Sequence, residues 1–135
     1  MIGIVIVSHA GLADELLHAA ESILGPLKAV VAVSIGRDMA VEVAEDELQK
    51  AVTLVGKDGN GIIILTDIFG GTPTNISAEF LRDGEVEILT GVNLPMLIKG
   101  AGARVNNDLN TLTTLLKDYA QSAIMRPSEL LRSVR

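Results

Sequence analysis

The stretch Ile62-Ile63-Ile64-Leu65-Thr66-Asp67-Ile68-Phe69-Gly70-Gly71-Thr72-Pro73 decides the fold. Four consecutive aliphatic residues read as a strand that is apolar on both faces, which only helices packed on both sides of a sheet can cover. Thr66 and Asp67 end the apolar run and two glycines turn the chain. Thr72-Pro73 then has the form of an N-cap with proline at the first helical position. The unit is strand, tight turn, helix, which is the repeating half of an α/β fold.

Working outward, Ile2–Val7 and Ala29–Val33 have the same continuous apolar character, and Val86–Leu89 forms a fourth run. In that fourth run Glu85-Val86-Glu87-Ile88 alternates, as a half-exposed edge strand does. Helical periods fill the gaps. Leu12, Leu16, Ala20 and Ile23-Leu24 form one stripe, stopped by Gly25-Pro26, and Val41, Ala44, Leu48, Ala51, Val52 and Val55 form a second with acidic residues opposite. A third helix from Thr72 is expected to carry Ile76, Phe80 and Leu81 and to end before Asp83-Gly84. Helices are also expected from Pro95 to about Gly100 and over Leu109–Ala120, separated by Gly100-Ala101-Gly102. Ala123–Met125 is a candidate fifth strand, confined to an edge by Pro127.

The pattern predicts one α/β domain over residues 1–135, with an open, mainly parallel sheet, helices on both faces, and 121–135 as a C-terminal segment holding the candidate edge strand and a tail. Right-handed crossovers place all strand exits on one edge, where open sheets bind ligands. Those exits are Ser8-His9-Ala10-Gly11, Ser34-Ile35-Gly36, the Thr66–Gly71 turn and Thr90-Gly91-Val92-Asn93. Both His9 and Asp67 stand on this edge.

Composition limits the chemistry. There are no cysteines, which excludes thiol catalysis and thiolate metal sites, and His9 and His18 are the only imidazoles. Three aromatic residues, Phe69, Phe80 and Tyr119, and a net charge of −6 exclude the stacking platforms and phosphate-neutralising surfaces of nucleic-acid binders. No apolar run approaches the roughly 18 residues of a membrane span, and the first basic residue is Lys28, so the chain is expected to work in the cytoplasm without a secretory signal.

Three features at the edge combine. If the first and third strands are neighbours, Asp67 can bond Nδ1–H of His9, fix the tautomer and leave Nε2 as a free nucleophile. Gly70 and Gly71 let backbone approach a ligand, and Thr72 opens a helix whose positive end suits an anion. Each feature also has a structural reading: a histidine that caps a helix, an aspartate that forms an Asx turn, a glycine pair that merely turns the chain. The spacing matches neither a P-loop nor a dinucleotide fingerprint. His18 falls on a helix flank and is assigned no function.

With His9, the segment Thr66–Asn75 and the segment Gly91-Val92-Asn93-Leu94-Pro95-Met96-Leu97, the chain resembles the IIA component of the mannose family of the bacterial phosphoenolpyruvate-dependent sugar phosphotransferase system. The resemblance extends to about Tyr119. It implies a sheet of order 2-1-3-4 and phosphorylation of His9 by the histidine phosphocarrier protein. It further implies that Asp67 orients His9, that Thr72 and the backbone of Gly70 and Gly71 line the phosphate site, and that the phosphoryl group passes to a IIB-type partner. A homodimer with an exchanged antiparallel strand, here Ala123–Met125, and membrane contact only through permease components are also implied. No metal or organic cofactor is required. Two alternatives share the same edge: the phosphotransfer subunit of a dihydroxyacetone kinase system, and a sensor that binds an anionic metabolite without turnover.

Overall fold

The computed structural model describes residues 1–133. Four parallel strands, β1 (Gly3–His9), β2 (Val30–Ile35), β3 (Ile62–Thr66) and β4 (Val86–Leu89), form one sheet in the order β2-β1-β3-β4. The expected order and the edge position of the fourth strand are both observed. Alternation along the strands sorts the core into two layers. Ile4 and Ile6 of β1 join Ile63 and Leu65 of β3 against helices α1 (Leu12–Leu24), α4 (Leu94–Ala103) and α5 (Leu109–Ser122). Val5 and Val7 join Ile62 and Ile64 against α2 (Val41–Val55) and Ile76 of α3 (Gly71–Ala78). Every residue of β3 is buried, as its unbroken apolar run requires.

Several local expectations need correction. α3 begins at Gly71, with Gly70 at the N-cap, so Thr72 lies inside the first turn and caps nothing. The helix also ends at Ala78, short of Phe80 and Leu81. α4 runs straight through Gly100-Ala101-Gly102. Gly100 is buried there, and a Cβ on it would sit 3.1 Å from Leu116 Cδ1, so the missing side chain lets α4 and α5 pack closely and does not break the helix. Ala123–Met125 forms no strand within this chain; Ile124 and Met125 are exposed beyond the end of α5. A short helix, α6 (Pro127–Ser133), follows where no element was expected. Residues 134 and 135 of the expected tail lie outside the described residues.

The apolar stripe of α1 is shorter than its sequence suggests. Ala13 and Ala20 are buried and Leu16 and Leu17 pack against the core, while Leu12, Ile23 and Leu24 are exposed. α2 buries Ala44, Leu48, Ala51 and Val55, as its period predicts.

At the amino edge of the sheet, Arg104 is 4% exposed. Its guanidinium donates to the carbonyls of Ile2 and Ala29, at 3.2 and 3.1 Å, and to that of Lys28. It thereby ties together the chain segments that enter β1 and β2. Burial pulls its pKa down from the usual arginine value.

Candidate active site

The site is built by strand register. Val7 pairs with Thr66 at the end of the β1–β3 ladder, and His9 pairs with Ile35 on the other side. His9 and Asp67 therefore leave adjacent strands side by side. Odd positions of β1 face α2 and α3, so the same parity that buries Val7 turns His9 toward the start of α3.

One oxygen of Asp67 organises the pair. Asp67 Oδ2 accepts the backbone N–H of His9 at 2.8 Å and meets His9 Nδ1 at 2.9 Å. An ionised carboxylate can only accept, so Nδ1 carries the proton and, in the neutral ring, Nε2 keeps its lone pair. The His9 side chain is 53% exposed and that of Asp67 only 11%. Burial pushes the Asp67 carboxyl up, but the bonds from His9 together outweigh it and hold it below the ordinary carboxylate range. Its other oxygen, Oδ1, is buried and has no hydrogen-bond partner among the described residues.

Gly71 closes the site from the α3 side. Its φ of +76° favours glycine, and a Cβ there would lie 3.0 Å from His9 Cε1 and 3.1 Å from Nε2. Gly70, at φ +87°, has open space where a side chain would be, so it is required by conformation alone. Thr72 is exposed in the first turn of α3, next to backbone N–H groups that have no acceptor within the helix. His9, Asp67, Gly70, Gly71 and Thr72 thus gather at one edge. His18 lies away from it, 79% exposed and 3.8 Å from Glu15.

Sequence reasoning missed the hydroxyls behind the site. Ser8 Oγ accepts the N–H of Ala13 at 2.6 Å and Ser34 Oγ that of Asp14 at 3.3 Å, so two strand-exit serines serve the start of α1. Buried Thr66 and Thr74 meet at 2.9 Å across the Asp67 loop. Strand parity was the available signal: Ser8 faces α1 because His9 faces α3. Asn93, quoted only as part of a motif, caps α4 by accepting the N–H of Met96 at 2.9 Å and donates to the Ala120 carbonyl at 3.2 Å. Beside it, a groove of about 470 Å³ runs between the β4 exit and α5, with Phe69 and Ile124 among its walls.

Among the described residues no three metal-ligating side chains cluster, and no helix is long and apolar enough to cross a membrane. What the edge offers is a single oriented imidazole with an open nucleophilic nitrogen beside unsatisfied amides. A family model described as PTS system fructose IIA component matches residues 3–116. The chain is 28% identical to the PTS system fructose-specific EIIA component of Bacillus subtilis (strain 168), covering 100% of this chain and 92% of that protein. It is 34% identical over 106 residues to the PTS system mannose-specific EIIAB component of Escherichia coli (strain K12), which is 76% of this chain and 32% of that longer protein. The solved structure of phosphotransferase system component EIIA from Streptococcus agalactiae is similar at a TM-score of 0.86 and 29% identity, covering 96% of this chain and 99% of that one.

Fold and matches together define a IIA-type component of the sugar phosphotransferase system, a class of transferases with a phosphocarrier role. Within that class, the chain belongs to the mannose-type IIA family whose model it matches.

Proposed function

We propose that the chain carries its phosphoryl group on Nε2 of His9, taking it from the histidine phosphocarrier protein and handing it to a IIB-type partner. The observation that supports this reading above others is the bond between His9 Nδ1 and Asp67 Oδ2, which leaves Nε2 unprotonated on an exposed ring. In the forward step the Nε2 lone pair attacks phosphorus, the P–N bond to the donor imidazole breaks, and the electron pair returns to that donor. One phosphoramidate replaces another, so the step is close to balanced and reversible. The proton stays on Nδ1, donated to Asp67 Oδ2, and the carboxylate also stabilises the ring as it gains positive character.

The incoming group adds a charge of about −2, whereas a helix terminus offers only about +0.5. The α3 dipole therefore offsets a minor part; the backbone N–H groups at Gly70–Thr72, the Thr72 hydroxyl and solvent take the rest. A half-exposed site is consistent with that need for water and with docking by two successive proteins. The fusion of A and B units in the name of the Escherichia coli relative supports a IIB-type acceptor.

We place this activity in the cytoplasm, with membrane contact through permease components only. The reading includes a homodimer in which residues 123–125 of one copy lie antiparallel along the open edge of β4 in the other; light scattering should then return twice the chain mass of 14.2 kDa.

The test is incubation with phosphoenolpyruvate, enzyme I and the phosphocarrier. The expected product is an acid-labile, base-stable phosphate mapped to His9 and absent from His9→Ala, whose melting temperature stays near wild type because the ring packs against little. Label that persists in His9→Ala overturns the assignment. Saturable binding of an anionic metabolite without any phosphoprotein would point to a sensor instead.

A further inference from the structure

We propose that Thr66 and Thr74 form a clamp that positions the Asp67 carboxylate, a role that bears on phosphoryl transfer only through the reading of His9 given above. Thr66 is fully buried and Thr74 is 9% exposed. Their Oγ1 atoms lie 2.9 Å apart, and Thr74 Oγ1 donates to the carbonyl of Ile68. A hydroxyl has one proton to give. Thr74 uses its proton on Ile68, so Thr66 must be the donor between the two threonines. The chain of bonds therefore has one direction, from Thr66 through Thr74 to the Ile68 carbonyl.

That chain spans Asp67. On one side, Thr66 is fixed by its pairing with Val7 and by the Val92 N–H, which donates to the Thr66 carbonyl at 2.9 Å. On the other, the Ile68 carbonyl is held by Thr74 and, among the described residues, by no other donor. Beyond it come exposed Ile68 and Phe69 and two glycines at positive φ, a segment with little packing of its own. Among the described residues nothing holds the carboxylate directly from behind, since Oδ1 has no partner there and Oδ2 is bonded by His9 alone. The backbone on either side of Asp67 sets where Oδ2 sits, and α3 reaches that backbone through Thr74. The helix that closes over His9 is thus the same one that aligns the group orienting it.

The decisive measurement is the tautomer of His9, read from its imidazole nitrogen NMR shifts at neutral pH in the full-length protein. Wild type should show Nδ1–H alone. Thr74→Val keeps the shape but removes both functions of the hydroxyl, and should give a mixture of tautomers, while Thr74→Ser restores the single form. Thr66→Val leaves the bond from Thr74 to Ile68 intact and should shift the tautomer less. In transfer assays Thr74→Val should lower kcat about tenfold, the scale of a displacement under 1 Å, and leave KM for the phosphocarrier unchanged.

A purely structural pair would lower the melting temperature and leave tautomer and kcat at wild-type values; that result overturns the clamp, as does failure of Thr74→Ser to rescue. Should Thr74→Val not fold, the double variant Thr66→Val/Thr74→Val removes both hydroxyls together and leaves neither unpaired, which is far milder. It then carries the same two outcomes. If wild-type protein takes no phosphate on His9, the functional reading fails while the tautomer result still decides the clamp.

Discussion

At the amino edge of the sheet, the buried guanidinium of Arg104 donates to the carbonyls of Ile2, Lys28 and Ala29. At the carboxyl edge, the largely buried carboxylate of Asp67 accepts two bonds from His9. Each charged group leaves one buried atom unpartnered, Arg104 Nε and Asp67 Oδ1, so incomplete satisfaction does not separate them. The partners do. Backbone carbonyls at the start of two strands cannot move without unfolding the sheet, so the charge of Arg104 is locked into structure. Asp67 instead divides its charge between the His9 backbone N–H and the half-exposed ring of the same residue. A buried charge held by main chain alone fixes the fold, and one that also holds an exposed side chain remains available to chemistry.

The comparison can be broken from either end. Arg104→Met keeps the aliphatic stem but strands the carbonyls of Ile2 and Lys28, while that of Ala29 keeps the Ile4 N–H, and should destabilise by about 3 kcal/mol in denaturant melts, with transfer rates per folded molecule unchanged. Loss of activity without loss of stability would show that the amino edge is coupled to the site.

Asp67→Asn is expected to slow phosphorylation roughly a hundredfold, since an amide can hold the ring in the wrong tautomer, and to alter the melting temperature much less. Unfolding with normal residual transfer would make Asp67 a turn residue. The pH dependence has a defined sign. The folded-state pKa of Asp67 is depressed, so its contribution is present above the unfolded value of about 3.9 and is lost as pH falls below it toward the folded value. The stability gap between wild type and Asp67→Asn should therefore narrow below about pH 4, as acid titrations followed by circular dichroism would show.

The smallest effect sharpens the comparison. Gly71→Ala should cost about 1–2 kcal/mol through its positive φ, and its Cβ, at 3.0–3.1 Å from the His9 ring, should push the imidazole aside. Reduced transfer with an unchanged phosphocarrier KM is the expected kinetic signature.

The sheet was legible because its strands are short apolar runs between turn signals; β4 begins and ends at the residues its alternation marks, Val86 and Leu89. β1 and β2 extend two residues further than their apolar runs because His9 and Ile35 continue the ladder, a tertiary pairing that hydropathy does not record. Gly100 misled for a related reason: a glycine that breaks an isolated helix also allows the closest helix approach, and packing against Leu116 decides between the two. His9 and Asp67 could be paired from topology alone, since adjacent strand exits must converge. Thr74 could not, because its role depends on where α3 begins, and Thr72-Pro73 pointed two residues too late. Arg104 carries no sequence signal at all; nothing in Ala103-Arg104-Val105 distinguishes a buried arginine from a surface one.

The position of Arg104 also bears on how the chain is made. It stands 102 positions after Ile2, whose carbonyl it holds. At about 5–20 residues per second, roughly 5–20 s pass between synthesis of the first strand and arrival of the residue that seals its leading end. Over that interval Ile2, Ile4 and Ile6, all buried in the finished protein, lack α4 and α5 to cover them. Folding governed by such distant contacts is slow, and the nascent amino terminus is where a ribosome-associated chaperone has the most to shield.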